Sequence, residues 1–267
     1  MMTPDQIADA ARRLDEAERT RKQIRMLSLD HPGMDMADAY SVQNAWIDLK
    51  LAAGRKVLGH KIGLTSKAMQ SALNIDMPDS GYLLDDMFFA DGAHIPTDKF
   101  IGLRIEAEVA FVLKAPLKGP DCTMFDVLNA TDYVVPALEI LDTRILRVDP
   151  ETKKTRTVFD TIADNAANCG IVTGGRPIRP DHSDLRWIGA IVSKNGAVEE
   201  TGIAAGVLNH PANGVAWLAN RLAEHGGALK AGEIVLAGSF IRPIEAGKGD
   251  TIVADYGPYG TVSCYFG

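Results

Sequence analysis

The stretch Arg104-Ile105-Glu106-Ala107-Glu108-Val109-Ala110-Phe111-Val112-Leu113 repeats with a period of two, which a strand satisfies and a helix does not. Ile105, Ala107, Val109, Phe111 and Leu113 form one wholly apolar face. Arg104, Glu106 and Glu108 share the other, which turns apolar again at Ala110 and Val112. A solvated face would stay polar to the end of its strand, and this one does not. From Val57 onward the chain keeps to short β-like runs divided by Gly, Pro and Asp. VLGHKIGL, VVPALEIL, EIVLAGS, TIVADY and TVSCYF are such runs, and LRWIGAIVSKNGAVEE reads as two strands joined by a hairpin at Asn195-Gly196.

The first part of the chain reads as helices. Thr3, Pro4 and Gln6 make a capping box with proline at the first helical position, and Ile7, Ala10, Ala11, Leu14 and Ala17 follow at helical spacing. The pattern breaks at His31-Pro32-Gly33. Asp35 with Asp38 caps a second helix with Met36, Ala39, Tyr40, Gln43, Trp46 and Ile47 on one face, and Gly54 stops it. One more helix runs from Pro211 to Glu224, with Asn209 as its cap and Gly226 as its stop. Strands and helices do not alternate as βαβ units, so the expected class is α+β. Residues 1–56 form a helical amino-terminal section and 57–267 a β-rich body, together one structural unit.

The 267 residues are 46% hydrophobic and 24% charged, which suits a globular protein with a substantial core. A net charge of −7 argues against nucleic acid or an anionic membrane surface as partner. No apolar stretch reaches the roughly 18 residues that span a bilayer, and the amino terminus carries no signal-peptide block. Cys122, Cys169 and Cys264 form no ligand cluster and read as reduced structural residues, which places the protein in the cytoplasm. Dinucleotide, P-loop, nucleophile-elbow and HExxH motifs are absent.

Chemistry concentrates in a few residues. Glu106 and Glu108 are either an exposed pair or the start of a site. Glu139 lies inside Val134-Val135-Pro136-Ala137-Leu138-Glu139-Ile140-Leu141, where a carboxylate is costly unless it is paired or binds a metal. If these three carboxylates converge, a hard divalent cation such as Mg²⁺ relieves their repulsion. An Arg104–Glu139 ion pair is the rival. Lys61, between Gly59 and Gly63 in an apolar strand, is either a desolvated proton carrier or a snorkelling strand-end lysine. Glycines of this kind mark close approach of a ligand or another backbone. His60, on the opposite face, reads as structural. Asp79, in Met77-Pro78-Asp79-Ser80-Gly81, is explained by turn chemistry alone. The segment Phe159-Asp160-Thr161-Ile162-Ala163-Asp164-Asn165 reads as a loop over the site, with Arg144, Arg147 and Arg156 near it as solvated charges. Ser239, in Gly238-Ser239-Phe240, and nearby backbone N–H groups are weak candidates for a substrate carboxylate.

The segments GHKIGLTSKAMQ, LLDDMFF, RIEAEVAFVL, NATDYVVPALEILD, FDTIADNAAN and NHPANGVAWLANRLA resemble the 2-hydroxypenta-2,4-dienoate hydratase family, within the wider fumarylacetoacetate-hydrolase-like group. The likeness runs from the first helix to the last strand. It implies a mixed β-barrel or roll with flanking helices, a Mg²⁺ or Mn²⁺ site and a homo-oligomer. The family's E-x-E pair and later glutamate match Glu106, Glu108 and Glu139 as metal ligands; its active-site lysine and aspartate match Lys61 and Asp79. For Asp79 the role rests on the resemblance. The implied reaction adds water to a small 2-hydroxy-2,4-diene carboxylate in bacterial meta-cleavage of aromatic compounds, of the homoprotocatechuate type. Its implied mechanism has Lys61 moving a proton and Asp79 activating water. Three alternatives stay open: a 4-oxalocrotonate-type decarboxylase with the same metal site, a C–C bond hydrolase, and a non-catalytic partner of a pathway decarboxylase. Association with such a decarboxylase is also implied for an active hydratase.

Overall fold

The computed structural model describes residues 1–67, 70–71 and 75–267. Ala68 and Met69 of GHKIGLTSKAMQ lie outside them. The chain opens with helices α1 (Pro4–Thr20), α2 (Leu27–Asp30) and α3 (Met36–Ala52). Both expected capping boxes form. The Gln6 side chain accepts from Thr3 N at 2.8 Å, and Asp35 accepts from Asp38 N at 2.9 Å. The apolar stripes of α1 and α3 meet, and Leu14, Val42, Trp46 and Ile47 share a cluster with Leu84, Ile145 and Ile162 from later in the chain.

Thirteen strands follow among the described residues. They are β1 (Val57–Gly63), β2 (Asp79–Leu84), β3 (Phe88–Ala90), β4 (Ala93–Ile95), β5 (Arg104–Leu113), β6 (Thr131–Leu141), β7 (Asn168–Thr173), β8 (Gly189–Lys194), β9 (Ala197–Ile203), β10 (Ile234–Leu236), β11 (Ile244–Glu245), β12 (Thr251–Asp255) and β13 (Thr261–Phe266). Helices α4 (Met124–Ala130), α5 (Val158–Ala163) and α6 (Pro211–Ala223) lie between them. The first sheet runs β2-β1-β10-β5-β6-β7-β3, with β11 also on β5; the second runs β4-β13-β12-β8-β9. Parallel pairs (β1 with β10, β3 with β7, β4 with β13) sit beside antiparallel ones, so both sheets are mixed. β2 comes back against β7 of the same sheet, which therefore coils into a half-barrel. No described helix is long and apolar enough to cross a membrane.

The alternation of β5 divides the interior in two. Ile105, Ala107, Val109, Phe111 and Leu113 enter the main core with Val262 and Phe266 of the second sheet. Each large side chain among them contributes about 1.5–3 kcal/mol by burial. A slip of one residue would exchange this face for the carboxylates, so the core locks the register. On the other face Leu83, Ala110, Ala137, Ile171 and Leu236 form a small apolar floor inside the half-barrel.

Two local expectations are corrected. Helix α6 is capped by His210, not Asn209: His210 Nδ1 accepts from Ala212 N at 3.1 Å. Pro211 at the first helical position holds the preceding residue extended, while Asn209 adopts φ 67°. The segment after Thr157 is the helix α5 rather than a loop. Asp160 accepts from Thr157 N at 2.8 Å and also from Ser28 Oγ at 2.6 Å, which fixes its first turn.

Candidate active site

Glu106 on β5 stands directly opposite Glu139 on β6, and Glu108 lies two residues along the same face. Like charges in cross-strand positions repel. Glu108 and Glu139 are completely buried, and a carboxylate oxygen from each of the three glutamates lies within 4.8 Å of the other two. Strand β10 stops at Leu236, opposite Ala110. The chain then turns at Gly238 (φ 115°), whose N–H donates to Glu108 Oε2 at 2.8 Å. A Cβ there would lie 2.2 Å from Thr65 Oγ1, so the turn requires glycine.

Lys61 on β1 reaches the same interior. Its Nζ is 3.4 Å from Glu139 Oε1 and donates to Ala166 O at 3.0 Å. It is 3% exposed, so it does not snorkel. Asp79 is not in a turn; it is the first residue of β2, pairs with Gly63 and is 2% exposed. The ladder with β1 overrides the turn signals of its neighbours. A Cβ on Gly63 would lie 2.2 Å from Asp79 Oδ1 and 2.9 Å from Lys61 Nζ. Gly63 thus makes room for both the Asp79 carboxyl and the Lys61 ammonium, while Gly59 makes room for the backbone of Ile234.

The electrostatics report a shortage of cations. Burial, then Glu139, pushes the Glu106 carboxyl up to about 8, and the same causes hold Glu108 well above the usual range. Burial raises Asp79 against the pull of Lys61. Burial alone would lower the Lys61 ammonium, but Glu139, Asp79 and Glu106 outweigh it and raise it. Among the described residues, Glu108 Oε1, Glu139 Oε2 and Asp79 Oδ1 are buried without a hydrogen-bond partner. Orphaned carboxylate oxygens converging from three directions fit a hard, oxygen-preferring divalent cation.

Several supporting residues escaped the sequence reading. Asn168 donates to Glu139 Oε1 at 2.7 Å. Asn165, Ala166 and Ala167 form a left-handed turn with φ of 53°, 51° and 60°. The Asn165 side chain brackets the Tyr82 backbone, its Oδ1 accepting from Tyr82 N at 2.7 Å and its Nδ2 donating to Tyr82 O at 3.0 Å. The one sequence signal was the density of Asp and Asn in ADNAAN, since these residues tolerate left-handed backbone. The turn is held by Arg144, which is not a solvated charge but completely buried. Arg144 pairs with Asp164, donates to Asp164 O at 2.8 Å and stacks on Trp46 at 5.1 Å. Arg144→Met leaves Asp164 buried and unpaired, so chemical denaturation of the variant is expected to show a loss of about 3–5 kcal/mol. A loss below about 1 kcal/mol, the range of exposed pairs, would contradict this reading.

Other candidates fall away or move. Arg104 pairs with Glu245 at 2.7 Å rather than with Glu139. Ser239 donates its hydroxyl to Ile241 O at 2.9 Å, and the neighbouring Gly238 N–H serves Glu108. His60 is buried beside Glu233, 3.8 Å away on the far face of β1. Arg104, Arg147 and Arg156 line, with Lys61, Asp79 and Glu106, a cavity of about 340 Å³.

No protein-family model matches the sequence. The chain is 63% identical over 256 residues to the 2-oxo-hept-4-ene-1,7-dioate hydratase of Escherichia coli, covering 96% of each. It is 44% identical over 198 residues to a 2-hydroxypent-2,4-dienoate hydratase of Pseudomonas putida, covering 73% of this chain and 86% of the relative. Among solved structures, 4-oxalocrotonate decarboxylase from Pseudomonas putida G7, complexed with magnesium and adipate, aligns with a TM-score of 0.94 at 38% identity. That alignment covers 100% of this chain and 99% of the other.

Proposed function

Because the chain belongs to the 2-hydroxypenta-2,4-dienoate hydratase family, of the fumarylacetoacetate-hydrolase-like group, we propose that it is a Mg²⁺-dependent hydratase whose substrate is 2-oxo-hept-4-ene-1,7-dioate, reached through its 2-hydroxy-2,4-diene form. The observation that carries this reading is the meeting of Glu106, Glu108 and Glu139 with Lys61 in one buried pocket, with carboxylate oxygens left unpartnered. Glu106, Glu108 and Glu139 would hold the metal, with Mn²⁺ as a substitute. When bound, the metal supplies Lewis-acid stabilisation of the negative charge that develops on the C2 oxygen.

The protein's own groups do the rest. Lys61 Nζ, kept protonated by the surrounding carboxylates, carries the proton that converts the dienol to the unsaturated 2-oxo acid. Asp79 Oδ1 has no protein partner among the described residues and orients the water that adds at C4. The apolar floor of Leu83, Ala110 and Leu236 keeps other water from the reacting carbons. The reaction belongs to meta-cleavage degradation of aromatic compounds, the homoprotocatechuate route, in the cytoplasm. Exposed Ile191 and Ile203 on the second sheet, with exposed Trp187 in the turn just before β8, support a homo-oligomer, with a pathway decarboxylase as a further partner.

The test follows the ultraviolet absorbance of 2-hydroxyhepta-2,4-diene-1,7-dioate with purified protein, with and without Mg²⁺, and weighs the product. Metal-dependent loss of the diene with gain of one water is the expected result. Loss of CO₂ from a 2-oxo-dioate would move the protein to the decarboxylase branch, and no reaction under any condition would overturn the hydratase assignment.

A further inference from the structure

Residues 147–156 form a tight two-stranded ribbon at the mouth of the cavity. Arg156 N donates to Arg147 O at 3.0 Å, and Val148 bridges Thr155 in antiparallel fashion. Asp149 closes the turn by accepting from Thr152 N at 2.7 Å, and it anchors the ribbon to the amino-terminal section through Arg25 Nε at 2.8 Å. This pairing sets Arg147 and Arg156 opposite each other on one face, and both line the same cavity as Glu106, Lys61 and Asp79. Two like charges in direct cross-strand register repel. Among the described residues neither arginine takes part in an ion pair, although both are half-buried. Arg104, at the same mouth, is already held by Glu245. Burial and then the positive charge of Arg104 and Arg156 pull the Arg147 guanidinium down to about 10, outweighing the opposing pull of Glu245 and Asp142.

The formal charges lead the same way. Glu106, Glu108, Glu139 and Asp79 are balanced in part by Lys61 and would be balanced further by a divalent cation. That leaves the carboxylate end of the cavity with no surplus positive charge, while its mouth carries two guanidinium groups outside any ion pair among the described residues, Arg156 giving one N–H to the Thr143 hydroxyl and feeling Asp164 and Asp160 from a distance. We propose that Arg147 and Arg156 bind the second, distal carboxylate of a dicarboxylic substrate, and that they set the preference for a dioate over a monocarboxylic dienoate. The assignment rests on the hydratase reading and deepens it. Guanidinium forks match carboxylates in a two-point geometry that lysine cannot reproduce. A chain without the second carboxylate leaves the repelling pair uncompensated.

The experiment compares wild type, Arg147→Gln, Arg156→Gln and Arg147→Lys in the Mg²⁺-loaded protein. One readout is the ratio of kcat/KM for 2-hydroxyhepta-2,4-diene-1,7-dioate to that for 2-hydroxypenta-2,4-dienoate. The other is calorimetric binding of adipate against hexanoate, six-carbon acids that differ by one carboxylate. Each Gln variant is expected to lower both ratios roughly ten- to hundredfold, the range for a lost hydrogen bond to a charged group, with the kinetic loss mainly in KM. Arg147→Lys restores part of each ratio by keeping the charge. Ratios unmoved by either Gln variant, or a wild type that does not prefer adipate, would overturn the assignment. A wild type inactive on both dienoates would strike the hydratase reading alone. The adipate-to-hexanoate ratio needs no turnover and still decides for or against the arginines.

Discussion

Glu108→Gln is expected to abolish the rise in thermal stability that Mg²⁺ confers and to cut kcat/KM by about 10³-fold or more. The magnitude follows from the several kcal/mol that a Lewis acid contributes to a developing oxyanion, at about 1.4 kcal/mol per tenfold. Glu108 is the informative choice among the three glutamates. It is completely buried, one oxygen is served by Gly238 N–H, and the other has no partner among the described residues. A neutral amide there relieves repulsion with Glu106 and Glu139, so the metal-free variant should be no less stable than the metal-free wild type. In the wild type, Mg²⁺ at about a hundred times its dissociation constant should add about 2.7 kcal/mol of stability. Thermal melts with and without Mg²⁺ read this difference directly. A variant that is still stabilised by Mg²⁺ would remove Glu108 from the metal site.

Lys61→Met separates proton transfer from metal binding. Turnover should fall by about 10²–10⁴-fold, the usual contribution of a positioned acid–base group. Affinity for Mg²⁺ should hold or rise, because the substitution removes a cation 3.4 Å from Glu139. Steady-state kinetics and calorimetric titration with Mg²⁺ give the two numbers. Normal turnover would take the proton-carrying role from Lys61. A large loss of metal affinity would instead make Lys61 a positioning residue for Glu139.

Much of this architecture is legible in the sequence, because it depends on local pattern. The two capping boxes, the alternation of β5 and the Asn195-Gly196 hairpin each rest on residues a few positions apart, and each forms as read. Family likeness extends this to the half-barrel. The facing of Glu106 and Glu139 is another matter. It depends on strand register across 33 residues of chain, which is set by the opposite, apolar face of β5 against the second sheet. Asp79 was hidden by its turn-like neighbours, since nothing local reveals that Gly63 will pair with it. The Arg147–Arg156 ribbon carries no strand periodicity at all; its two arms are tied by Asp149 and a single bridge. Arg144 looked like one more loop charge because its partner, Asp164, is twenty residues away.

The left-handed turn at Asn165-Ala166-Ala167 couples the buried Arg144–Asp164 pair to the site. Each alanine there sits in backbone that L-residues avoid at a cost of about 1–2 kcal/mol, so the turn does not form by itself and waits for Arg144 and Asp164 to enclose it. Within this one segment Ala166 O accepts from the ammonium on β1 and the Asn165 side chain accepts from the backbone of β2, while Asn168, the next residue, donates to the glutamate on β6. Closure of this turn and assembly of the glutamate–lysine site are thereby coupled, since the same residues serve both. A chain that had docked both sheets but not yet wound this turn would have native-like strands and helices and would still be inert.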